Sequence, residues 1–421
     1  MRDALQTILN HVETLEAVTR RLADCIGQAA CEDIRAELDL PQAPIAGRDG
    51  FAVRSEDISA ASPQHPVALR VSATARAGHP TRAGVRPGTA VRIMTGSLIP
   101  PGADCVVRFE DTDEPAGKNG PAGNPAAVVE IRAAMAPGTH IWPAGSQIRK
   151  GQIVLPAGSL IGPAQISALA SIGLTRVGVR RAPLVSIIAT GDELVRPGAK
   201  LGRGRIFCGN SAAVAALVRH YGGVPKVVGI ARDREESLRS QIRRALAADA
   251  VITIGGVSQG DYDLVRRVTA QMGRVVFSGI PLMPGMAAAF SLIPAPTGPT
   301  REVPIFSLSG PPAGCLVNFE TLVRPALLKM LGLSELAHPT VTATALDSAR
   351  NDRPLALAVF TRLQTTEGDC QVRFAISEQK TMQAVMAAAN ALAILPSGAD
   401  VKAGHRIQVL PLDWRRDQLF I

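Results

Sequence analysis

Aromatic residues make up only 3% of this 421-residue chain, and Tyr221 and Tyr262 are its sole tyrosines. So sparse a supply argues against a base-stacking platform for single-stranded nucleic acid. The six cysteines, Cys25, Cys31, Cys105, Cys208, Cys315 and Cys370, form no CxxC pair. Neither a zinc site nor a disulfide framework is therefore expected, and free thiols in a reducing compartment are. No apolar run approaches the ~18 residues of a membrane span. The opening MRDALQTILNHVETLEAV carries acids among its apolar residues, unlike a secretory signal, so the cytoplasm is the expected location. The seven histidines stand apart, and GxSxG and HExxH are both missing. Zinc and serine-nucleophile chemistry thus start without support.

What is present is ample core material: 46% of residues are apolar and 19% charged, with 39 glycines and 31 prolines that follow no period. At ~100–200 residues per domain, the length implies two to four domains. The net charge of +9 is concentrated in residues 177–330, where 19 Arg and Lys face 10 Asp and Glu. No tight basic run marks a nucleic-acid patch. A small anionic ligand and solvated, arginine-rich helix faces both account for the excess.

Leu5, Ile8, Leu9, Val12, Leu15, Val18 and Leu22 recur at three- and four-residue spacing, which predicts a helix over residues 3–36. Pro41 and Pro44 then break the pattern. The runs VALRVSAT, AVRIM, CVVRF and AVVEIRA, separated by Gly/Pro turns, predict a β-rich insert domain over 39–137. A turn-rich stretch and a helix over 138–176 would join residues 1–38 in a split helical domain. Over 177–332, PLVSIIATG, VPKVVGIA, DAVITIGG and RVVFSG alternate with helical patterns. That alternation is the signature of a doubly wound parallel α/β sheet, in which ligands bind beyond the carboxyl ends of the strands. Short β runs over 338–421 predict a C-terminal β-barrel.

The loops at that sheet edge are TGDEL (190–194), GNS (209–211), RDREE (232–236) and GGVSQGD (255–261). In the last, Gly255, Gly256 and Gly260 admit close backbone approach. Ser258 and the N–H groups entering a helix near Asp261 would make a phosphate-cradling turn. The turn is neither a Walker loop nor GxGxxG, and a bare tight connection reads the same way. Asp261 and Asp263 would share a sheet end with Asp192, Glu193 and Asp233. Acids beside a phosphate cradle repel the ligand unless a divalent cation intervenes, and Mg²⁺ is the ion that combines carboxylates with phosphate oxygens. Each acid also has a structural reading: Asp261 as an N-cap, Asp233 with Glu236 as a capping box on REESLRSQI, and Asp192 and Glu193 as turn caps. Asp49 in GRDGF and Thr95 in RIMTGS fall in the β-rich segment, where Asp-Gly is first a turn signal.

The blocks RDGFAV (48–53), GTAVRIMTGSLIPPGADCVV (88–107), ATGDELV (189–195), TIGGVSQGDYDLV (253–265), FETLVRPALLKMLG (319–332), FTR (360–362) and AANALAILP (388–396) resemble those of the molybdopterin molybdenumtransferases, the family that includes the gephyrin C-terminal domain. They occur in the family's order and span essentially the whole chain. The resemblance implies a four-domain homodimer whose cleft lies between the α/β domain of one subunit and the β-rich domain of the other. It implies Mg²⁺-dependent insertion of molybdate into adenylylated molybdopterin with release of AMP. It also implies a molybdopterin adenylyltransferase or a recipient molybdoenzyme as partner, and neither nucleic acid nor membrane. By motif, Asp49, Asp233 and Asp263 are expected to be catalytic, and Glu193, Asp233 and Asp263 to hold Mg²⁺. Thr95, Thr190, Asp192, Gly255, Gly256, Ser258, Gly260, Asp261, Gly285 and Gly310 are expected to bind the substrate.

The chain departs from the family's pattern where charge would meet an anion. MPGMA (283–287) replaces KPGKP, so Met283 and Met286 stand where the family has lysines and Ala287 where it has a proline. LSGPP (308–312) puts Pro311 in place of an asparagine, Ser146 and Gln147 replace two acids, and Lys380 replaces a serine. Each lost charge-assisted contact costs roughly 1.5–3 kcal/mol. These exchanges define the alternative function, a molybdopterin- or cofactor-binding carrier without insertion activity. An arginine such as Arg232 or Arg274 reaching the vacated space would favour the enzyme.

Overall fold

The computed structural model describes residues 1–114, 128–257, 263–296, 298–366, 368–374 and 381–412. The chain divides into two compact units. One comprises Met1–Glu32, Ala157–Ile166 and Thr175–Ile421, the other Asp33–Pro156 and Ser167–Leu174.

The first unit is built on a six-stranded sheet in the spatial order Val224–Ala231, Leu184–Thr190, Ala250–Ile254, Gly298–Leu308, Ala289–Ala295, Arg274–Ser278. The first four strands run parallel. Six of the seven residues of Leu184–Thr190 are buried, as a parallel strand covered on both faces requires. On one face Ile187 and Ile252 pack with Phe290, Phe306 and Phe319. On the other, Ile188 and Val251 meet Leu238 and Ile242 of helix Glu235–Ala245 and Val265 and Val268 of helix Leu264–Met272. The sheet is thus doubly wound as expected, with one correction: RVVFSG is not a further parallel strand. Arg274–Ser278 is an antiparallel edge strand paired with Ala289–Ala295, which itself runs antiparallel to Gly298–Leu308. Only residues 279–288 separate Arg274–Ser278 from Ala289–Ala295, fewer than the dozen or so a parallel crossover needs.

The helix expected over 3–36 is also corrected. It spans Arg2–His11, and Val12 is already extended. Ile8 and Val12 enter the core, whereas Ala17–Arg21 forms a strand antiparallel to Arg176–Arg180. A helix followed by a strand has filled positions that share a 3.6-residue period, because long-range pairing outweighs a local preference.

At the C-terminal end of this unit, Val341–Ala345, Ala356–Thr366, Asp369–Phe374, Ala391–Leu395 and Arg406–Pro411 close into a five-stranded barrel, each strand pairing with two others. Leu282–Met283 adds in parallel to its Ala356–Leu357 segment.

The second unit carries a five-stranded sheet in the order Cys105–Arg108, Gly50–Val53, Thr89–Ile93, Val67–Ala75, Val128–Ile131. Phe51, Val53, Ile58, Leu69 and Val107 form its core. The six cysteines are free thiols. Among the described residues no helix is long and apolar enough to cross a membrane.

Candidate functional site

Strand order places a crevice at one edge of the parallel sheet. Leu184–Thr190 is flanked by the strand that follows it on one side and by Ala250–Ile254 on the other, so the loops leaving the carboxyl ends of these strands diverge. The turn at Gly255 and Gly256 takes φ of +83° and +67°. A Cβ at Gly255 would lie 2.8 Å from the Thr190 carbonyl oxygen, and one at Gly256 2.9 Å from Val265 Cγ2. Only glycine passes there, which leaves bare backbone as the floor. Gly310 abuts Gly255, and its carbonyl accepts a hydrogen bond from Asn210 Nδ2 at 2.7 Å.

Two clefts open over this floor. One of about 790 Å³ is lined by Thr190, Glu193, Phe207, Asn210, Gly255 and Gly310 among others. The other, of about 510 Å³, is lined by Thr190, Gly191, Glu193, Asp233, Gly256, Leu264 and Arg267. Both fall in the range of small-molecule sites. Thr190 borders both clefts; it is buried, and its Oγ1 has no hydrogen-bond partner among the described residues.

Glu193 and Asp233 are exposed and share the smaller cleft. Asp233 does not form the capping box considered above: helix Glu235–Ala245 is preceded by Arg234 with no side-chain cap. Instead Asp233 Oδ2 accepts the Asp192 N–H at 2.9 Å, and Arg232 Nη1 donates to the Asp192 carbonyl at 3.0 Å. These bonds tie the TGDEL and RDREE loops together.

Asp263 behaves differently. It is the N-cap of Leu264–Met272, a role expected for Asp261; it accepts the Arg266 N–H at 2.9 Å and pairs with Arg266 Nε at 3.3 Å. Burial pushes its carboxyl above the ordinary value, against the opposing hydrogen bond and charge of Arg266. Among the described residues no three His, Cys, Asp or Glu side chains group to hold a metal ion. The three-acid set Glu193, Asp233 and Asp263 is therefore not assembled, because Asp263 is committed to the helix N-terminus. Glu193 and Asp233 remain as a two-carboxylate set, which suits an ion that keeps waters and takes phosphate oxygens. Ser258, Gly260, Asp261 and Lys380 lie outside the described residues.

Gly285 supports the wall of the cleft without lining it. Its φ is +116°, and a Cβ would come 2.4 Å from Asn318 Nδ2. Fully buried Asn318 donates from Nδ2 to the Gly285 carbonyl at 2.9 Å and accepts the Ser309 N–H at 3.1 Å. One amide thus clamps the MPGMA loop to the LSGPP loop. Neither arginine considered above is drawn to Met283: Arg274 pairs with Glu302 at 2.9 Å and Arg232 holds Asp192. Arg353 is the guanidinium that meets Met283, with Nη1 3.9 Å from Sδ.

In the second unit, Gly50 pairs with Ile93, and this register brings Asp49 and Thr95 together. Asp49 Oδ1 accepts both the Thr95 N–H at 2.6 Å and the Thr95 hydroxyl at 2.8 Å.

Residues 1–173 match the MoeA N-terminal region (domain I and II), and residues 186–329 match a probable molybdopterin binding domain. A molybdopterin molybdenumtransferase of Staphylococcus aureus (strain COL) is 31% identical over 416 residues, covering 97% of this chain and 94% of the relative. The chain belongs to the molybdopterin molybdenumtransferase family. A second molybdenumtransferase, from Nostoc sp., is 31% identical over 98% of this chain and 93% of its own length. The molybdopterin biosynthesis moea protein from Pyrococcus horikosii superposes with a TM-score of 0.79 at 28% identity, covering 98% of each chain. The multidomain α/β architecture with its C-terminal barrel is that of this family.

Two further residues, Asn210 and Asn318, hold the cleft wall through hydrogen bonds. Asn210 stood in a loop singled out for its position, yet nothing marked its side chain. Asn318 had a signal: it is the one amide in the apolar run CLVNF, the kind of position where a buried polar group must be bonded on both sides.

Proposed function

We propose that the protein inserts molybdate into adenylylated molybdopterin, releasing AMP, as a step of molybdenum cofactor biosynthesis. The observation that carries this reading is the pairing of Glu193 and Asp233 in one cleft over the glycine turn and the orphaned Thr190 hydroxyl. Glu193 and Asp233 would hold Mg²⁺, whose charge offsets that of the phosphate oxygens. The Gly255–Gly256 backbone receives the phosphate side of the substrate at close range, with Thr190 beneath it at the rim of the same floor. Asp192 fixes the Asp233 carboxylate through its own N–H. Asp263 acts at one remove by capping the helix behind the turn. Asp49, held by Thr95, belongs to the second unit; the family pattern gives Asp49 a catalytic role and Thr95 a substrate-binding one.

The finer reading includes a cytoplasmic homodimer that receives its substrate from a molybdopterin adenylyltransferase and passes its product to a molybdoenzyme. Relatives named as transferases favour the enzyme over the carrier. The test uses purified protein, adenylylated molybdopterin, molybdate and Mg²⁺, with AMP followed by chromatography. Molybdate- and Mg²⁺-dependent release is expected; release no faster than in the protein-free control would sink the reading.

A further inference from the structure

Phe207 is 46% exposed, in a chain whose aromatic residues are few. It does not face open solvent at random: Ile206 and Phe207 both line the 790 Å³ cleft, whose lining also includes Leu316, Pro311, Pro312 and Met386. The ring is held there by backbone. Leu194–Val195 and Ile206–Phe207 form a short parallel ladder, and the Ile206 N–H donates to the Glu193 carbonyl at 2.9 Å. The ring therefore follows directly on a residue hydrogen-bonded to the backbone of Glu193, one of the two carboxylates assigned to the phosphate site.

The segment between the two arms of that ladder, residues 196–205, carries Arg196, Lys200, Arg203 and Arg205 and no acid. All its residues are exposed, and none of the four cations makes an ion pair among the described residues. An accessible aromatic side chain lining a cleft with a bare glycine floor, at the end of a cation-bearing loop, is chemistry suited to a planar base joined to a phosphate.

We propose that Phe207 is the stacking platform for the adenine of the nucleotide half of the substrate, with the basic 196–205 strap attracting its phosphate. The inference rests on the reading above for the position of that phosphate. The pterin is also a planar heterocycle carrying a phosphate, so the experiment separates the two rings. Binding of AMP and of molybdopterin is measured by calorimetry for the wild type and for Phe207→Ala and Phe207→Trp, alongside steady-state AMP release.

Phe207→Ala is expected to weaken AMP binding about 10-fold, the scale of one base stacked on one aromatic side chain. Molybdopterin affinity should hold, and KM for the adenylylated substrate should rise with kcat little changed. Phe207→Trp should restore both, which lost packing alone would not predict. Unchanged AMP affinity in Phe207→Ala, no AMP binding by the wild type, or a loss confined to molybdopterin each overturns the proposal. Its failure is separable from that of the function. Turnover by the wild type with AMP binding indifferent to Phe207 removes the subsite alone; Phe207-dependent AMP binding without turnover removes the insertion activity alone.

Discussion

At the amino ends of the parallel strands, Asp249 is buried and accepts hydrogen bonds from Arg181 Nη1 and Nη2 at 2.5 and 2.8 Å, from the Leu184 N–H at 2.8 Å and from Arg301 Nη2 at 2.9 Å. At the carboxyl ends, Glu193 and Asp233 line a cleft, Thr190 Oγ1 has no partner among the described residues, and the adjoining Gly255–Gly256 turn is bare backbone. Both ends have a cavity, about 600 Å³ around Asp249 and about 790 Å³ around Thr190. Volume therefore does not distinguish them. What differs is satisfaction: one end has matched its charges internally, and the other has left acceptors and donors for something to fill. A buried carboxylate with that many donors is a staple, and exposed carboxylates beside a backbone floor make a candidate site.

The sharpest break between the two ends is chemical. Glu193→Ala or Asp233→Ala should lower kcat/KM for AMP release by ~10²–10³, several kcal/mol of metal-borne stabilisation. The urea midpoint should barely move, because both side chains are exposed. Asp249→Ala should do the reverse. Removing one partner of a buried pair costs ~3–5 kcal/mol, read as an earlier urea midpoint, with kcat per folded molecule retained. Comparable loss of kcat at both ends would erase the distinction.

Asn318→Ala tests the clamp behind the cleft wall. It leaves the Ser309 N–H and the Gly285 carbonyl unpaired and should cost about 2–3 kcal/mol in chemical denaturation. KM should rise as the MPGMA and LSGPP loops loosen.

The smallest expected effect is at Asp263. Asparagine is as good an N-cap as aspartate, so Asp263→Asn should change stability by less than about 1 kcal/mol and AMP release by no more than about threefold. A hundredfold loss would return Asp263 to the metal set. Asp249 and Asp263, both buried, also differ in sign with pH. Burial would raise Asp249, but the hydrogen bonds from Arg181 and Leu184 outweigh it and hold its carboxyl below the ordinary value. Its stabilisation is therefore full above the unfolded carboxylate value near ~4 and fades as pH falls through the lower folded value. Asp263 is raised by burial, so its contribution is full below that unfolded value and fades as pH rises through the folded one. Urea midpoints against pH for the wild type and Asp263→Asn should diverge on the acid side, with the wild type gaining.

Much of this was legible before any coordinates. TGDEL, RDREE and GGV were placed at one sheet edge because apolar runs alternating with amphipathic segments leave few topologies open. Asp49 and Thr95 were singled out separately, and the Gly50–Ile93 register joined them. The 3–36 helix and the capping box at Asp233 were local inferences overruled by partners distant in sequence, Arg176–Arg180 and the Asp192 N–H; the parallel RVVFSG strand gave way to a nearby antiparallel partner, Ala289–Ala295.

The order of residues was enough to specify the family, the doubly wound sheet and the residue types along its functional edge, since periodicity and turn chemistry are properties of short stretches. Which donors reach each acid was decided by folding. Asp233 and Asp263 are both aspartates near the start of a helix, and nothing local separates them. One is held at the cleft by a backbone N–H across a loop, and the other is turned inward to cap its own helix. A carboxylate's role follows from the donors that reach it, and those donors come from parts of the chain that only packing brings near.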